Sequence, residues 1–132
     1  MAAKDTPVVL VTGDLSFLYD MNALCIKYIP NNFRIIIINN QGGGIFKILP
    51  GYKNNGVFSE YIETKHNHSA YNLAKMFNFK YFSVSTKFGL NFALATFFNQ
   101  SKKPKILEIK TNSDKSEKIL KEYFKYLSKS EK

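Results

Sequence analysis

The chain has 132 residues, of which 45% are hydrophobic, which is enough to bury a core and excludes a disordered tail. Its formal net charge is +9, yet Arg34 is its only arginine and its lysines are spread along the chain, which disfavours a nucleic-acid partner. No apolar run approaches the ~20 residues needed to span a bilayer, and the first residues lack the apolar core of a signal peptide. We therefore expect one globular domain over residues 1–132 of a cytoplasmic protein that has no membrane partner.

The first half of the chain has the pattern of a β-α-β unit. Residues 8–12 and 33–38 are short apolar runs rich in β-branched side chains, which is typical of parallel strands buried on both faces. Between them, apolar residues at helical spacing predict a helix over residues 16–29. In such a unit the loops that follow the two strands leave the sheet at the same, carboxyl edge. Asp14 and Asn40 are therefore expected to face one crevice.

A long connection follows, and its pattern is mixed. Residues 41–67 contain turn signals at residues 42–44, 50–51 and 54–56. A short helix is predicted over residues 57–62. A connection of this length inside a compact domain favours a loop that covers a ligand.

The second half of the chain continues the alternation of helices and strands. Apolar stripes predict helices over residues 70–77, 90–98 and 114–128, and all of these stripes are expected to pack in the core. Short apolar runs predict strands over residues 81–84 and 106–109. Together with the first half, this alternation predicts an α/β fold, a three-layer α/β/α sandwich around a mostly parallel sheet.

The chemistry is expected where the two loops of the β-α-β unit meet. Asp14 supplies a carboxylate, Asn40 an amide oxygen, and the glycines at 42–44 expose backbone carbonyls. Mg²⁺ prefers such oxygen ligands, and with a single carboxylate the set is complete only when a ligand adds phosphate oxygens. Ser16, as the N-cap of the predicted helix, places backbone N–H groups where they suit a phosphate. The pattern favours a metal–diphosphate site, although Gly13-Asp14 and the asparagines could also simply shape turns.

Other polar residues receive structural interpretations. His66 and His68 form a pair without a third ligand, and a solvent-exposed loop is the preferred interpretation. Glu60 and Glu63 are interpreted as the surface of a helix. Cys25 is the only cysteine, so no disulfide forms within the chain, and its position in the predicted helix indicates packing.

Two stretches carry a family resemblance. Gly13-Asp14-Leu15 is followed after twenty-three residues by Asn39-Asn40, which resembles the thiamine-diphosphate motif that begins Gly-Asp-Gly and ends Asn-Asn. Leu15 departs from the third glycine of that motif. With leucine at this position, the sequence of residues 13–24 and 39–46 resembles that of the 2-succinyl-5-enolpyruvyl-6-hydroxy-3-cyclohexene-1-carboxylate synthases of menaquinone biosynthesis. The resemblance continues more loosely through residues 105–111.

The resemblance implies a thiamine-diphosphate-binding fold, truncated at its N-terminal side, and a set of site residues. It implies Mg²⁺ bound by three groups, namely Asp14, the side chain of Asn40 and the backbone carbonyl of Gly42. It implies that the diphosphate is lined by Gly13, Leu15 and Ser16. It implies an apolar wall beside the reacting groups, formed by Ile45 and Phe46.

The resemblance also implies an activity and partners. Family members decarboxylate 2-oxoglutarate on thiamine diphosphate and add the resulting carbanion to isochorismate. They are several times longer, and a glutamate of their N-terminal domain helps to activate the cofactor. This chain is therefore expected to be a C-terminal segment without a catalytic residue of its own and inactive without the remaining domains. We expect a homodimer or larger assembly, formed through an apolar surface around Phe17, Tyr19, Ile45 and Phe46.

Two alternatives stay open. The chain could belong to another thiamine-diphosphate enzyme, such as a decarboxylase or an enzyme similar to acetolactate synthase. It could also be a non-enzymatic binding module that uses its basic face. Substrate profiling of the intact protein distinguishes the first alternative, and salt-dependent DNA binding distinguishes the second.

Overall fold

The computed structural model describes residues 6–49 and 56–130. The described residues fall into two compact units. Unit 1 contains the described residues up to Asn39 together with Ser69–Lys110, and unit 2 contains those of Asn40–His68 and those from Thr111 onward. The turn predicted at residues 50–51 and the first two residues of the turn predicted at 54–56 lie outside the described residues, and the single domain over residues 1–132 stays a prediction.

Unit 1 is built around a parallel sheet. Its strands among the described residues are β1 (Val8–Gly13), β2 (Phe33–Asn39), β3 (Lys80–Val84) and β4 (Lys105–Lys110). They lie in the order β1-β2-β4-β3, and every neighbouring pair is parallel. All of these strands were predicted from their apolar runs, and the α/β class is confirmed.

Helices connect these strands in unit 1 and form most of the regular structure of unit 2. The helices of unit 1 are α1 (Asp14–Tyr19), a 3₁₀ helix (Met21–Cys25), α2 (Tyr71–Met76) and α3 (Lys87–Phe97). The helices of unit 2 are a 3₁₀ helix (Gly44–Ile48), a π-helix (Phe58–Ile62) and α4 (Ser113–Ser130).

The core of unit 1 lies on both faces of the sheet. Neighbouring residues of a strand point to opposite faces, and in β4 Ile106 and Leu107 accordingly belong to different apolar clusters. The cluster around Ile106 includes Phe17 of α1 and Ala74 of α2. The cluster around Leu107 includes Phe97 of α3. Unit 1 therefore has the predicted three layers, with helices on both sides of the sheet.

The sequence predicted that strand β1 is buried on both faces, and this prediction is wrong. Val8 is 39% exposed, Leu10 is 44% exposed and Val11 is 61% exposed. Within the described chain, β1 pairs with β2 on one side only, so that it is an edge strand. Its apolar composition is typical of a central strand, but the residues described here leave its outer edge and much of its surface uncovered.

The helix predicted over residues 16–29 is shorter and starts earlier. It begins at Asp14 and ends at Tyr19, and Gly13 rather than Ser16 occupies the N-cap, without a side-chain cap. The chain then tightens into the 3₁₀ helix, where Cys25 is exposed instead of packed. Phe17 and Leu24 are buried, whereas the residues after Cys25 are largely exposed. The helix ends early because helical segments persist mainly where an apolar face is packed.

The apolar stripe of α4 does not lie in a core. Ile119 is 65% exposed, Tyr123 is 54% exposed and Phe124 is 51% exposed. In unit 2, α4 packs against the 3₁₀ helix Gly44–Ile48. The amphipathic pattern predicted the helix correctly, but its apolar side remains surface in the described chain.

Two buried cations hold the carboxyl end of α3. The Arg34 guanidinium donates hydrogen bonds to the backbone carbonyls of Phe97 (2.9 Å) and Asn31 (2.7 Å), and Lys105 Nζ donates to that of Thr96 (2.7 Å). Burial, and next the charge of Arg34, lower the pKa of Lys105. Cations at the carboxyl end of a helix donate hydrogen bonds to its last carbonyls and interact favourably with the negative end of its dipole. The single arginine is therefore buried and donates its hydrogen bonds to backbone carbonyls inside unit 1.

Candidate functional site

A buried carboxylate lies at the carboxyl edge of the sheet in unit 1. Asp14 directly follows β1 and is 6% exposed. Its Oδ1 accepts a hydrogen bond from the backbone N–H of Leu15 at 2.9 Å. Gly13 is the register partner of Ile38, so Asp14 and Asn39 stand at the same edge of neighbouring strands. Asn40 is the next residue of the chain, and that it faces the same crevice as Asp14 stays a prediction.

The predicted diphosphate residues surround the start of α1. Gly13 is exposed, Leu15 is half-buried and Ser16 is exposed. A Cβ built on Gly13 would contact Ser16 Oγ at 4.0 Å and no closer atom among the described residues. The backbone at this turn is therefore accessible, and the role of these residues stays a prediction.

A second buried carboxylate, Glu108, ties together the strands beside this edge. It lies on β4 and is 1% exposed. Its Oε1 accepts a hydrogen bond from Asn39 Nδ2 at 2.6 Å, and its Oε2 accepts one from Ser69 Oγ at 2.8 Å. The Tyr81 hydroxyl also donates to Oε2, and the Ala70 backbone N–H points at the same carboxylate. Glu108 thereby fixes the side chain of Asn39, the residue that precedes Asn40.

The charge of Glu108 is maintained by these donors. Burial raises the pKa of a carboxyl group, but the hydrogen bonds from Tyr81, Asn39 and Ser69 lower the pKa of Glu108 by more. The result is a pKa below its ordinary value of 4.5. The same network raises the pKa of the Tyr81 hydroxyl, through burial first and then through its hydrogen bond to Glu108.

We call residues 40–44 of unit 2 the glycine loop. Part of its backbone has a conformation that residues other than glycine adopt poorly. Gln41 has a φ of 65° and Gly42 a φ of 154°. A Cβ on Gly42 would approach the carbonyl oxygen of Glu63 to 2.9 Å. The Gly43 N–H donates to that same carbonyl oxygen at 2.6 Å. Glycine is therefore required at position 42 by both backbone conformation and close packing.

Gly43 and Gly44 also leave room for predicted site residues within unit 2. A Cβ on Gly43 would lie 2.8 Å from the Phe46 ring, and a Cβ on Gly44 would overlap Asn40 Nδ2. The Asn40 side chain thus lies directly on the α-carbon of Gly44. This contact joins two parts of the motif that the sequence placed in one loop.

A buried ion pair lies beside the glycine loop in unit 2. Lys47 Nζ is 3.0 Å from Glu63 Oε1, and the two side chains are 4% and 1% exposed. Lys47 also contacts Asp114 Oδ1 at 2.8 Å. The interpretation of Glu60 and Glu63 as a helix surface is wrong for Glu63, because Lys47 compensates its charge in the interior. Glu60 is exposed.

The other predicted candidates are distributed as follows. His66 is half-buried and His68 exposed, with their rings stacked at 5.2 Å. Within residues 6–49 and 56–130, no group of three or more His, Cys, Asp or Glu side chains is placed to hold a metal ion. The proposed set of one carboxylate, one amide and one backbone carbonyl is a different kind of metal site, because it includes only one residue of these four types.

In the part of the chain that the structure describes, no helix is both long and apolar enough to cross a membrane.

The residues of the predicted apolar surface differ in exposure. Phe17 is 5% exposed and belongs to the core of unit 1, so its assignment to that surface is wrong. It points inward because it packs in the apolar cluster that contains Ile106 and Ala74. Tyr19 (74%), Ile45 (62%) and Phe46 (37%) are exposed.

Sequence reasoning missed three residues that shape the candidate site, namely Glu108, Lys47 and Glu63 as a buried group. Two of them carried a signal, because Glu108 interrupts an apolar strand and Lys47 interrupts the apolar run Ile45 to Leu49. A charge inside an apolar run is seldom buried without a partner. The partners themselves could not be read from the sequence.

Comparison with protein families identifies the class. A family model described as "Thiamine pyrophosphate enzyme, C-terminal TPP binding domain" matches residues 1–109. The chain belongs to this family of C-terminal domains, whose cofactor is thiamine pyrophosphate, also called thiamine diphosphate.

Curated relatives have a more specific name. The chain is 46% identical over 125 residues to the 2-succinyl-5-enolpyruvyl-6-hydroxy-3-cyclohexene-1-carboxylate synthase of Christiangramia forsetii. It is 50% identical over 122 residues to the synthase of that name from Flavobacterium johnsoniae, and 48% identical over 126 residues to that of Flavobacterium psychrophilum. The resemblance to this synthase family is confirmed.

These matches cover different shares of the two chains. They include 95%, 92% and 96% of this chain, but 22%, 22% and 23% of the respective relatives. The chain thus spans less than a quarter of the length of the curated relatives it matches.

Proposed function

We propose that this chain is the Mg²⁺- and thiamine-diphosphate-binding segment of a 2-succinyl-5-enolpyruvyl-6-hydroxy-3-cyclohexene-1-carboxylate synthase. The parent enzyme would decarboxylate 2-oxoglutarate and transfer the remaining fragment to isochorismate in menaquinone biosynthesis. The observation that carries the proposal is the buried Asp14 at the carboxyl edge of the sheet. It directly follows β1, while the neighbouring strand β2 leads into Asn40.

The chemistry of the donor set fits Mg²⁺. Asp14 would supply a carboxylate oxygen, Asn40 an amide oxygen and Gly42 a backbone carbonyl. These are hard oxygen donors with a single negative charge, and Mg²⁺ bound by one carboxylate characteristically takes further oxygens from water and phosphate. A diphosphate lined by Gly13, Leu15 and Ser16 would complete such a set. We therefore assign the metal and the diphosphate to the same site.

The segment would hold and orient the cofactor and would not supply a reacting side chain. Thiamine diphosphate, when bound, supplies the electron sink for decarboxylation and for carbon–carbon bond formation. Ile45 and Phe46, which are exposed apolar side chains of unit 2, would form a wall that keeps water from the reacting groups. No side chain of this chain is assigned a catalytic role.

The remaining domains of the parent enzyme and a second subunit are the proposed partners. Large apolar side chains are exposed along β1 and along α4. Extended apolar surface of this kind is uncommon on monomers and marks interaction sites. It supports a homodimer or a larger assembly in which other parts of the enzyme cover these surfaces.

Activity measurements on the intact protein and on this chain test the proposed function. We expect the intact protein to release CO₂ from 2-oxoglutarate and form product with isochorismate, and to require both Mg²⁺ and thiamine diphosphate. This chain alone should show no turnover, whereas ordinary enzymes reach roughly 1–10³ s⁻¹.

Three outcomes would contradict this account. Preferential use of pyruvate by the intact protein would favour a decarboxylase or an enzyme similar to acetolactate synthase. Steeply salt-dependent DNA binding without cofactor dependence would favour a basic binding module. Turnover by this chain alone at an ordinary enzyme rate would show that the segment is not inactive.

A further inference from the structure

The glycine loop of unit 2 is attached to one residue, Glu63, at two points. The Gly43 N–H donates to the Glu63 carbonyl oxygen at 2.6 Å. Four residues further on, Lys47 Nζ is 3.0 Å from the Glu63 carboxylate. The backbone and the side chain of Glu63 therefore hold both ends of residues 43–47.

The packing around these two contacts leaves little freedom. The α-carbon of Gly42 lies against Glu63, since a Cβ there would approach the Glu63 carbonyl oxygen to 2.9 Å and Cγ to 3.4 Å. The backbone N–H of His66 donates to the Gln41 carbonyl at 3.2 Å, which fixes the residue before Gly42. The segment after the π-helix thus forms the support on which the glycine loop lies.

Stability alone is a weak reason for an ion pair in this position. Removing two charges from water costs much of what their attraction returns, and apolar replacements of similar volume are often as stable. A buried ion pair does, however, fix the relative position of its two partners. Lys47 also contacts Asp114 at 2.8 Å, and Ser113 Oγ donates to Glu63 Oε1 at 3.3 Å, so both members are oriented by further bonds.

The charge of Lys47 is secured by its surroundings. Burial lowers the pKa of Lys47, but hydrogen bonds to Asp114 and Glu63, together with the negative charges of both groups, raise it by more. The pKa of Lys47 therefore lies above its ordinary value, and the side chain is protonated at neutral pH.

We infer that Lys47 and Glu63 are positioning residues that hold the glycine loop in the shape needed for the proposed metal ligands Asn40 and Gly42. This inference rests on the proposed function. Lys47 acts on the loop through Glu63. Asn40 and Gly42 belong to the same loop, so a shift of Glu63 displaces the two oxygens that are proposed to bind Mg²⁺.

Three single variants of this chain test the inference. Lys47→Met removes the charge, Lys47→Arg preserves it, and Lys65→Met is the matched control. Lys65 Nζ lies 3.7 Å from the same Glu63 carboxylate, but its side chain is 58% exposed. Hydrogen exchange of the Gly43 amide reports the loop, and calorimetric titration with Mg²⁺ and thiamine diphosphate reports the site.

We expect Lys47→Met to accelerate exchange of the Gly43 amide and to weaken Mg²⁺-dependent binding by about tenfold, as loss of a supporting contact does at metal sites. Lys47→Arg should restore both readouts, and Lys65→Met should leave both unchanged. Wild-type behaviour of Lys47→Met in both readouts would overturn the inference. So would equal effects of Lys47→Met and Lys65→Met.

A double variant separates positioning from stability. Lys47→Met combined with Glu63→Met replaces the ion pair with apolar side chains and should restore the melting temperature to near the wild-type value. We expect its metal-dependent affinity to remain about tenfold weaker. Wild-type affinity in this variant would overturn the inference. If the wild-type chain binds no thiamine diphosphate, the proposed role of this chain in cofactor binding is contradicted. Hydrogen exchange of the Gly43 amide then still decides whether the ion pair positions the loop.

Discussion

Glu108→Ala is expected to lower the free energy of unfolding by about 3–5 kcal/mol at pH 7, because it leaves several buried donors without their acceptor. Asn39 Nδ2, Ser69 Oγ and the Tyr81 hydroxyl all donate to the Glu108 carboxylate, which is 1% exposed. Chemical denaturation measures the change. Glu122→Ala, which removes an exposed carboxylate from α4, is the control and should stay within about 0.5 kcal/mol of wild type.

The same residue makes stability depend on pH in a defined direction. The pKa of folded Glu108 lies below its ordinary value of 4.5, so the unfolded chain binds a proton first as the pH falls. The contribution of the Glu108 charge is therefore complete above about pH 4.5 and decreases as the pH falls through the lower, folded pKa. Glu108→Gln lacks this contribution.

Denaturation of wild type and Glu108→Gln between pH 7 and pH 3 checks this direction. The difference in the free energy of unfolding between the two proteins should be constant near neutral pH and should shrink below about pH 4.5. A difference that grows as the pH falls would show that folding raises the pKa of Glu108. An equal stability of Glu108→Ala and Glu122→Ala would contradict the structural role of the network.

Gly44→Ala is expected to weaken Mg²⁺-dependent binding of thiamine diphosphate by roughly 10–100-fold, the range seen when the support of a metal ligand is removed. The new methyl group would occupy the position of Asn40 Nδ2, so the proposed amide ligand has to move. Calorimetric titration of this chain measures the loss. Because the new methyl group meets one side chain and no backbone atom among the described residues, the melting temperature should fall by a few degrees at most.

Gly56→Ala provides the matched control for this variant. A Cβ at Gly56 meets no atom within 4 Å among the described residues, and both substitutions add one methyl group. We expect Gly56→Ala to bind as wild type does. If Gly44→Ala also retains wild-type affinity, the Asn40 side chain does not bind the metal from the position seen here.

The order of strands and helices in unit 1 was predictable because it depends on short-range patterns. The apolar runs of β1 and β2 alternate with polar, glycine-containing loops, and this local contrast determines where each strand ends. The sequence alone therefore places Asp14 and Asn40 after neighbouring strands. The residue types suggested Asp14, Asn40 and a carbonyl of residues 42–44 as metal ligands, the family resemblance selected Gly42 among the glycines, and the whole set stays a prediction.

What the sequence did not predict depends on long-range contacts. Glu63 is buried because Lys47, sixteen residues earlier, meets it in the folded unit, and no local pattern encodes that meeting. The residues of β1 have a composition typical of a central strand, but exposure depends on what covers a strand and not on its own residues. The prediction that the apolar stripe of α4 packs in the core was wrong for the same reason. Amphipathicity predicts that a helix has an apolar side, but it does not predict what packs against that side.

Titration calorimetry of thiamine diphosphate into this chain, with and without Mg²⁺, tests the central claim most directly. The comparison uses wild type, Asp14→Asn and Asp20→Asn, which removes an exposed carboxylate after the end of α1. The account predicts Mg²⁺-dependent heat for wild type and Asp20→Asn and its loss for Asp14→Asn. Equal, metal-independent binding by all three proteins would contradict the assignment of Asp14 as the metal ligand of a diphosphate site.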